Sequence, residues 1–181
     1  MAKESKIKLQ GKDVKCAGCA LVKCRAKSNM RTTKTRAAEN GERLFIDTNG
    51  PLPKSRGGRR YGVWGVDDKS DKTWVRLEKT KNKMGNFVED LVKMINGKGM
   101  KVRYIRCDNA GEHQGELQEI CVRYGITLEY TAPYTPQQNG RVEKKISVVW
   151  RQAQTMMVYA KLSQDAQQDF WAEAVACAAY L

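Results

Sequence analysis

The amino-acid sequence predicts an α/β domain in which helices flank a five-stranded mixed sheet. Five short runs of β-branched and aromatic residues alternate with segments of helical periodicity, which is the pattern of such a fold. Hydrophobic residues make up 41% of the 181 positions, enough to build a core. Residues 1–40 lack apolar periodicity and hold 11 basic against 3 acidic side chains, so we expect a disordered basic arm ahead of the domain.

Each predicted strand is bounded by turn or loop residues. The first strand ends in Asp47, before residues 49–51 (NGP) interrupt the chain, and the fourth strand ends in Asp108. The polar turn 67–71 joins the second and third strands into a hairpin. The predicted strands are 44–46, 61–66, 73–77, 102–107 and 126–130.

Four segments carry apolar residues at the spacing of amphipathic helices. The first is closed by Gly97 and Gly99, and the third follows the proline-containing loop 131–140. No apolar run approaches the roughly 18 residues that a membrane span needs, so no membrane partner is expected. The predicted helices are 84–95, 117–124, 142–160 and 170–181.

The net charge of +13 is unevenly distributed along the chain. Residues 1–40 contribute +8 and residues 41–100 contribute +5, whereas residues 101–181 hold 9 basic and 9 acidic side chains. Such an excess predicts a polyanionic partner, most often nucleic acid. Because the sequence does not open on a secretory signal, we expect an intracellular, reducing location, nuclear or cytoplasmic.

The six cysteines are therefore expected to be thiols or metal ligands. Cys16 and Cys19 have metal-ligand spacing, and Cys24 lies nearby, but a closed structural zinc site needs four ligands. His113 is the single histidine of the chain, and we expect it to be exposed, with DNA or metal contact as the alternative. Core positions are expected for Cys107, Cys121 and Cys177.

Three carboxylates, Asp47, Asp108 and Glu143, form the candidate chemical site, which we call the carboxylate triad. The aspartates end predicted strands, where α/β sheets bind ligands, and Glu143 lies in the first turn of the long helix beside its buried stripe. Converging carboxylate oxygens suit Mg²⁺ or Mn²⁺, and two such ions can clamp a phosphodiester. The alternative is that these residues have only structural roles. Asp47 would then be a turn residue, Asp108 a capping residue, and Glu143 a negative charge at a helix N-terminus.

Three segments carry a family resemblance: FIDTNGPLP (45–53), IRCDNAGEH (105–113) and TAPYTPQQNGRVEKK (131–145). With the later FWAEA helix, they resemble the integrase catalytic core of Ty1/copia-type retrotransposons over roughly residues 40–181. The resemblance implies a ribonuclease-H-like fold in which the carboxylate triad is catalytic and holds two Mg²⁺ or Mn²⁺ ions. It also implies an integrase domain at 39–181, truncated at its C-terminus, as a fragment of a Pol polyprotein.

The resemblance further implies trimming of a 3′ end of element DNA by water, then attack of the freed 3′ hydroxyl on target DNA. The implied partners are both DNAs and further copies of the chain. Two departures leave other functions open. The gap between Asp108 and Glu143 is one residue shorter than in the family, and residues 1–38 are an incomplete zinc-knuckle remnant without histidines. A catalytically inactive nucleic-acid-binding remnant and a ribonuclease-H-like nuclease are the alternatives.

Cations and amides near the triad are candidate DNA contacts, because a phosphate backbone at the metals needs such groups. The amides either contact DNA or cap the following helix, and a solvated face is the alternative for each cation. The candidate DNA-binding residues are Lys54, Arg56, Arg59, Arg60, Asn109, Gln137, Asn139, Arg141, Lys144, Lys145 and Arg151.

Overall fold

The computed structural model describes residues 36–108, 114–130 and 140–181. The predicted domain boundary at residue 38 stays a prediction. Most of the predicted disordered arm and several candidate residues fall outside the described ranges and also stay predictions. The individual residues concerned are Cys16, Cys19, Cys24, Asn109, His113, Gln137 and Asn139.

Within the described ranges, all five strands and all four helices predicted from the sequence are present. The strands are β1 (Arg43–Asn49), β2 (Tyr61–Asp67), β3 (Thr73–Glu78), β4 (Tyr104–Cys107) and β5 (Thr127–Tyr130). The helices are α1 (Met84–Gly97), α2 (Gln114–Tyr124), α3 (Gly140–Tyr159) and α4 (Gln164–Tyr180).

The strands form one mixed sheet in the order β3-β2-β1-β4-β5, which confirms the predicted fold class. β1 pairs antiparallel with β2 and parallel with β4, and β4 pairs parallel with β5. β1 is longer than predicted, because Thr48 and Asn49 continue the ladder opposite Val63 and Gly62. Asp47 therefore lies inside β1 and does not follow its end.

The two faces of the sheet have separate hydrophobic cores. Leu44 and Ile46 of β1 pack with α1 and α2, whereas Phe45, between them, packs with α3 and α4. Side chains of a strand alternate between the two faces, so Asp47 shares the face of Phe45. The carboxylate of Asp47 thus belongs to the side of the sheet that carries α3, the helix of Glu143.

The cysteine predictions are met in part. Cys107 and Cys121 are buried in the core under α1 and α2, as expected. Cys177 is exposed, so its predicted core position is wrong. The buried stripe of α4 runs through Trp171, Val175 and Ala178, and Cys177 lies about 200° around the helix from Val175. In the described ranges, no helix has the length and apolar character needed to cross a membrane.

Candidate active site

Asp47 and Asp108 are brought to neighbouring positions by the parallel pairing of β1 with β4. Ile46 is the Cα partner of Cys107 in this ladder, and an aspartate follows each of them in the chain. Two strands that are far apart in sequence thus present carboxylates side by side at one edge of the sheet. This is the edge at which ligands bind in α/β sheets.

The surroundings of Asp47 oppose its negative charge. Burial is the largest influence and raises its pKa, although a hydrogen bond donated by the Thr48 backbone N–H, 2.8 Å from Oδ1, acts to lower it. The negative charges of Glu143 and Asp108 are smaller contributions to the same rise, which brings the pKa of Asp47 to about 6 in total. Both other members of the triad are therefore close enough to Asp47 to repel its charge.

Glu143 lies in the first turn of α3, next to the fully buried Val142, and its own side chain is exposed. Asp108 is also exposed. Among the described residues, no group of three or more His, Cys, Asp and Glu side chains stands ready to hold a metal ion. The three carboxylates are therefore near enough to influence the charge of Asp47, but their side chains do not form a closed set of metal ligands.

The donor chemistry of the triad nevertheless fits a hard divalent cation. Carboxylate oxygens are the ligands that Mg²⁺ and Mn²⁺ prefer, and a cation would offset the unfavourable charge of Asp47. Cys107 does not compete as a ligand, because burial raises the pKa of its thiol to about 12 and keeps it protonated. Asp47, Asp108 and Glu143 are thus the residues that could hold such an ion.

The loop after β1 is anchored at the same edge of the sheet. The Trp64 indole N–H donates to Asn49 Oδ1 at 2.8 Å, and the Trp171 indole N–H donates to the Pro53 carbonyl at 2.9 Å. Gly50 has φ of +131°, and a Cβ there would lie 2.6 Å from the Arg60 carbonyl oxygen. Only glycine fits this close approach, which turns the chain back toward β2.

Four candidate DNA-binding cations lie on this loop, and two of them already have side-chain partners. The Arg56 guanidinium stacks 5.4 Å from the centre of the Phe170 ring, and Arg59 Nη1 lies 3.7 Å from Glu78 Oε2. Lys54 and Arg60 are exposed, although Arg60 Nε also lies 3.5 Å from the Leu52 carbonyl oxygen. The loop therefore offers two cations that can meet a phosphate without breaking an ion pair or a ring contact.

The cations of α3 divide in the same way. Lys144 and Arg151 are exposed, although Arg151 Nε also contacts the Ser147 carbonyl at 3.3 Å. Arg141 instead forms ion pairs with Asp68 and Asp71, and Lys145 Nζ lies 3.6 Å from Asp71 Oδ2. The other three candidates, Asn109, Gln137 and Asn139, lie outside the described residues.

Two acidic partners in this region were missed by the sequence reasoning. Asp68 and Asp71 stand in the polar segment 67–71, and acidic residues in such a segment have the composition of an ordinary solvated turn. No local pattern links this turn to Arg141, which lies 70 residues or more along the chain. The only hint in the sequence was weak: residues 67–71 contain three aspartates, which could attract a cationic side chain.

A second charged network, also missed, lies on the same face of the sheet as Asp47. Arg106, two residues before Asp108, pairs with Glu129 of β5 at 2.7 Å, and Arg43 of β1 pairs with the same carboxylate at 3.1 Å. The available sequence signal was one charged residue, Arg106, inside an otherwise uncharged strand. This network holds the Arg106 guanidinium over the Phe45 ring, 5.7 Å from its centre, on the strand that carries Asp47.

Comparison with known proteins places the chain among retroelement sequences. It is 32% identical over 185 aligned residues to the retrovirus-related Pol polyprotein from transposon TNT 1-94 of Nicotiana tabacum. The alignment covers 100% of this chain and 14% of that polyprotein. No protein-family model matches the chain.

Solved structures with the same fold include retroviral integrase assemblies. A chain of the simian T-cell lymphotropic virus intasome, determined in complex with PP2A regulatory subunit B56 gamma, matches with a TM-score of 0.64 at 17% identity. That match covers 91% of this chain and 56% of the other. The HTLV-2 integrase catalytic core domain in complex with magnesium, in its dimeric form, matches with a TM-score of 0.56 at 16% identity, over 80% of this chain and 88% of the other.

Proposed function

Since this chain belongs to the copia-type retrotransposon Pol polyproteins and has the fold of an integrase catalytic core, we propose that it carries out the catalytic steps of DNA integration. Its homology supports a role in DNA integration and suggests a polynucleotidyl transferase. The finer proposal is metal-dependent 3′-end processing of element DNA followed by strand transfer into target DNA. The chain spans 14% of its polyprotein relative, so the proposal concerns this segment alone.

One observation carries the proposal: the half-buried Asp47 carboxylate, whose charge is opposed by burial and by the charges of Glu143 and Asp108. Such a site gains most from a bound divalent cation, because the positive charge offsets both the cost of burying the carboxylate and its repulsion by Glu143 and Asp108. Two Mg²⁺ or Mn²⁺ ions would supply activation of an attacking oxygen and neutralisation of a leaving oxygen. The magnesium in the HTLV-2 core supports the choice of ion.

The protein's own contribution is to hold and align DNA at this edge of the sheet. Lys54 and Arg60 on the loop, with Lys144 and Arg151 on α3, are exposed cations suited to phosphate contacts. Asn109, which follows Asp108 in the sequence, and Gln137 and Asn139, which precede Glu143, remain proposed contacts. We further propose a homo-oligomer as the working form, in an intracellular compartment, nuclear or cytoplasmic.

The test is strand transfer by purified protein with Mg²⁺ or Mn²⁺. A labelled duplex with a recessed 3′ end serves as donor, and a supercoiled plasmid serves as target. Joined products that depend on the metal and disappear in Asp108→Asn support the proposal. Hydrolysed products without joined ones point to the nuclease alternative.

A non-catalytic DNA-binding remnant is the second candidate, favoured by the lack of a ready metal cage among the described side chains. Calorimetric titration with Mn²⁺ separates the two candidates. Saturable binding that Asp47→Asn abolishes supports the catalytic core. DNA binding without any saturable Mn²⁺ binding supports the remnant.

A further inference from the structure

The start of α3 is tied to the turn between β2 and β3 by a cluster of charges that we call the Arg141 clamp, formed by Arg141, Asp68 and Asp71. Arg141 Nη1 donates to Asp68 Oδ1 at 2.6 Å, and Arg141 Nε donates to Asp71 Oδ1 at 2.9 Å. Arg141 Nη2 also pairs with Asp71 Oδ1. Several donors of one guanidinium thus contact two carboxylates, a geometry that fixes direction as well as distance.

The acidic half of the clamp is rigidly held. Asp68 is 3% exposed, and its Oδ2 accepts the Ala37 backbone N–H at 2.6 Å. The preceding Asp67 accepts the Gly41 backbone N–H at 2.9 Å and the Ser70 backbone N–H at 3.0 Å. The turn is therefore a fixed anchor and not a mobile surface segment.

Asp71 contributes through its backbone as well as its side chain. Its φ of 60° lies in the left-handed region, which aspartate and asparagine tolerate better than most residues. Burial acts to raise the pKa of Asp71, but the Arg141 hydrogen bond and the charges of Arg141, Lys145 and Arg36 outweigh it and lower the pKa. Asp71 is thus charged over the whole range in which the protein would work.

The Arg141 clamp lies close in sequence to Glu143, the member of the triad on α3. Arg141 is two residues before Glu143, and the residue between them, Val142, is fully buried in the core beneath α3. The buried valine fixes how deep the first helical turn sits, and the clamp fixes its lateral position. Glu143 is exposed and makes no ion pair with any residue that the structure describes, so its placement depends on this turn.

We propose that Asp68 and Asp71, acting through Arg141, are positioning residues that hold the first turn of α3 so that Glu143 can meet a divalent ion with Asp47 and Asp108. This inference rests on the proposed function, in which the triad binds metal. It assigns Arg141 a role inside the protein, in place of the DNA contact that the sequence suggested.

The experiment compares Arg141→Met, Asp71→Asn and a matched control, Arg123→Met. Arg123 of α2 forms an exposed ion pair with Glu89 of α1 at 3.0 Å, so this variant removes an arginine and its ion pair away from the clamp. The first readout is hydrogen exchange at the amides of residues 144–148, which bond to carbonyls in the first turn of α3. The second is Mn²⁺ affinity, measured by calorimetry.

The two substitutions remove opposite charges, which separates positioning from simple electrostatics. Charge alone predicts that Arg141→Met tightens Mn²⁺ binding and that Asp71→Asn weakens it. Positioning predicts that both variants bind Mn²⁺ about 3- to 10-fold more weakly and exchange these amides about 10-fold faster, with the control unchanged. Tighter Mn²⁺ binding by Arg141→Met, or unchanged exchange in both variants, overturns the inference.

Two provisions keep the result decisive. If Arg141→Met does not fold, Arg141→Lys replaces it, because lysine keeps the positive charge but lacks the planar set of N–H donors that contacts both aspartates. Weaker Mn²⁺ binding and faster exchange are then expected again, with smaller changes. If wild-type protein binds no Mn²⁺, the proposed function fails, and the clamp is then judged on exchange alone. Faster exchange in both variants supports the clamp, and unchanged exchange overturns it.

Discussion

Ile46 of β1 and Cys107 of β4 are Cα partners in a parallel ladder, and the next residue after each is a member of the triad, Asp47 or Asp108. Parallel strands run in the same direction, so residues that follow a pair remain neighbours. The pairing thus builds two thirds of the candidate site from backbone geometry alone. The last third, Glu143, depends on how α3 is docked.

Asp108→Asn should abolish strand transfer and metal-dependent cleavage together. The substitution keeps size and hydrogen bonding but removes the charge that would bind the cation. Folding and DNA affinity should be unaffected, since removing a negative charge does not weaken attraction to phosphate. Activity assays and salt titrations of DNA binding check this, with Asp90→Asn on the opposite face of the sheet as the control. Full activity in Asp108→Asn would contradict the assignment.

Asp47→Asn should stabilise the metal-free protein at neutral pH by about 1–3 kcal/mol. A carboxyl pKa of about 6 in place of 3.8 means that ionised Asp47 opposes folding, and a tenfold change in a proton-binding equilibrium is worth about 1.4 kcal/mol. Asparagine still accepts the Thr48 N–H without the charge. Urea unfolding in EDTA measures the gain. Equal or lower stability of the variant would contradict the conclusion that the charge of Asp47 destabilises the folded protein.

Added Mg²⁺ should reverse that order of stability. A cation that binds only the folded state raises the free energy of unfolding of the wild type, whereas Asp47→Asn should gain little. The comparison uses the same urea titrations with and without excess Mg²⁺. Equal gains for both proteins would show that the ion binds away from Asp47.

The contribution of Asp71 to stability should disappear in acid. Its pKa is lowered in the folded state, so its stabilising effect is present above the ordinary aspartate pKa of about 3.9 and is lost as pH falls through the folded value. The pair is partly exposed, so we expect no more than about 1 kcal/mol. The free energies of unfolding of wild type and Asp71→Asn should therefore differ between about pH 5 and 7, and they should converge as the pH falls below the lowered folded pKa. A constant difference across this range would rule out the ion pair as its cause.

Removal of residues 1–35 should weaken DNA binding for all sequences alike. This segment holds 10 basic and 2 acidic side chains. For each phosphate contact that is lost, the plot of log binding constant against log salt concentration should become shallower by roughly 0.9. The cut must stop before Arg36, because the Ala37 and Gly41 N–H groups bond to Asp68 and Asp67. Mn²⁺ binding should be unchanged, and its disappearance would place the domain boundary earlier in the chain.

The sequence alone predicted the elements of the fold and named all three members of the candidate site. Strands and helices could be predicted because apolar spacing is a local property, repeated every 2 or 3.6 residues or so along one segment. Asp47 and Asp108 were recognisable as a pair because each follows an apolar strand segment. Glu143 was recognisable as the third candidate because it lies in the first turn of the long helix, beside its buried stripe, and the family resemblance implied the same triad.

The tertiary structure alone decided which charges face each other. The sequence suggested a surface cation at Arg141, yet its partners Asp68 and Asp71 lie 73 and 70 residues earlier, in a turn with the composition of a solvated one. The extension of β1 through Asn49 was equally hidden, because it depends on pairing with β2. Local spacing indicates which face of an element is apolar, but ion pairs and strand ends are set by residues that only folding brings within a few ångströms.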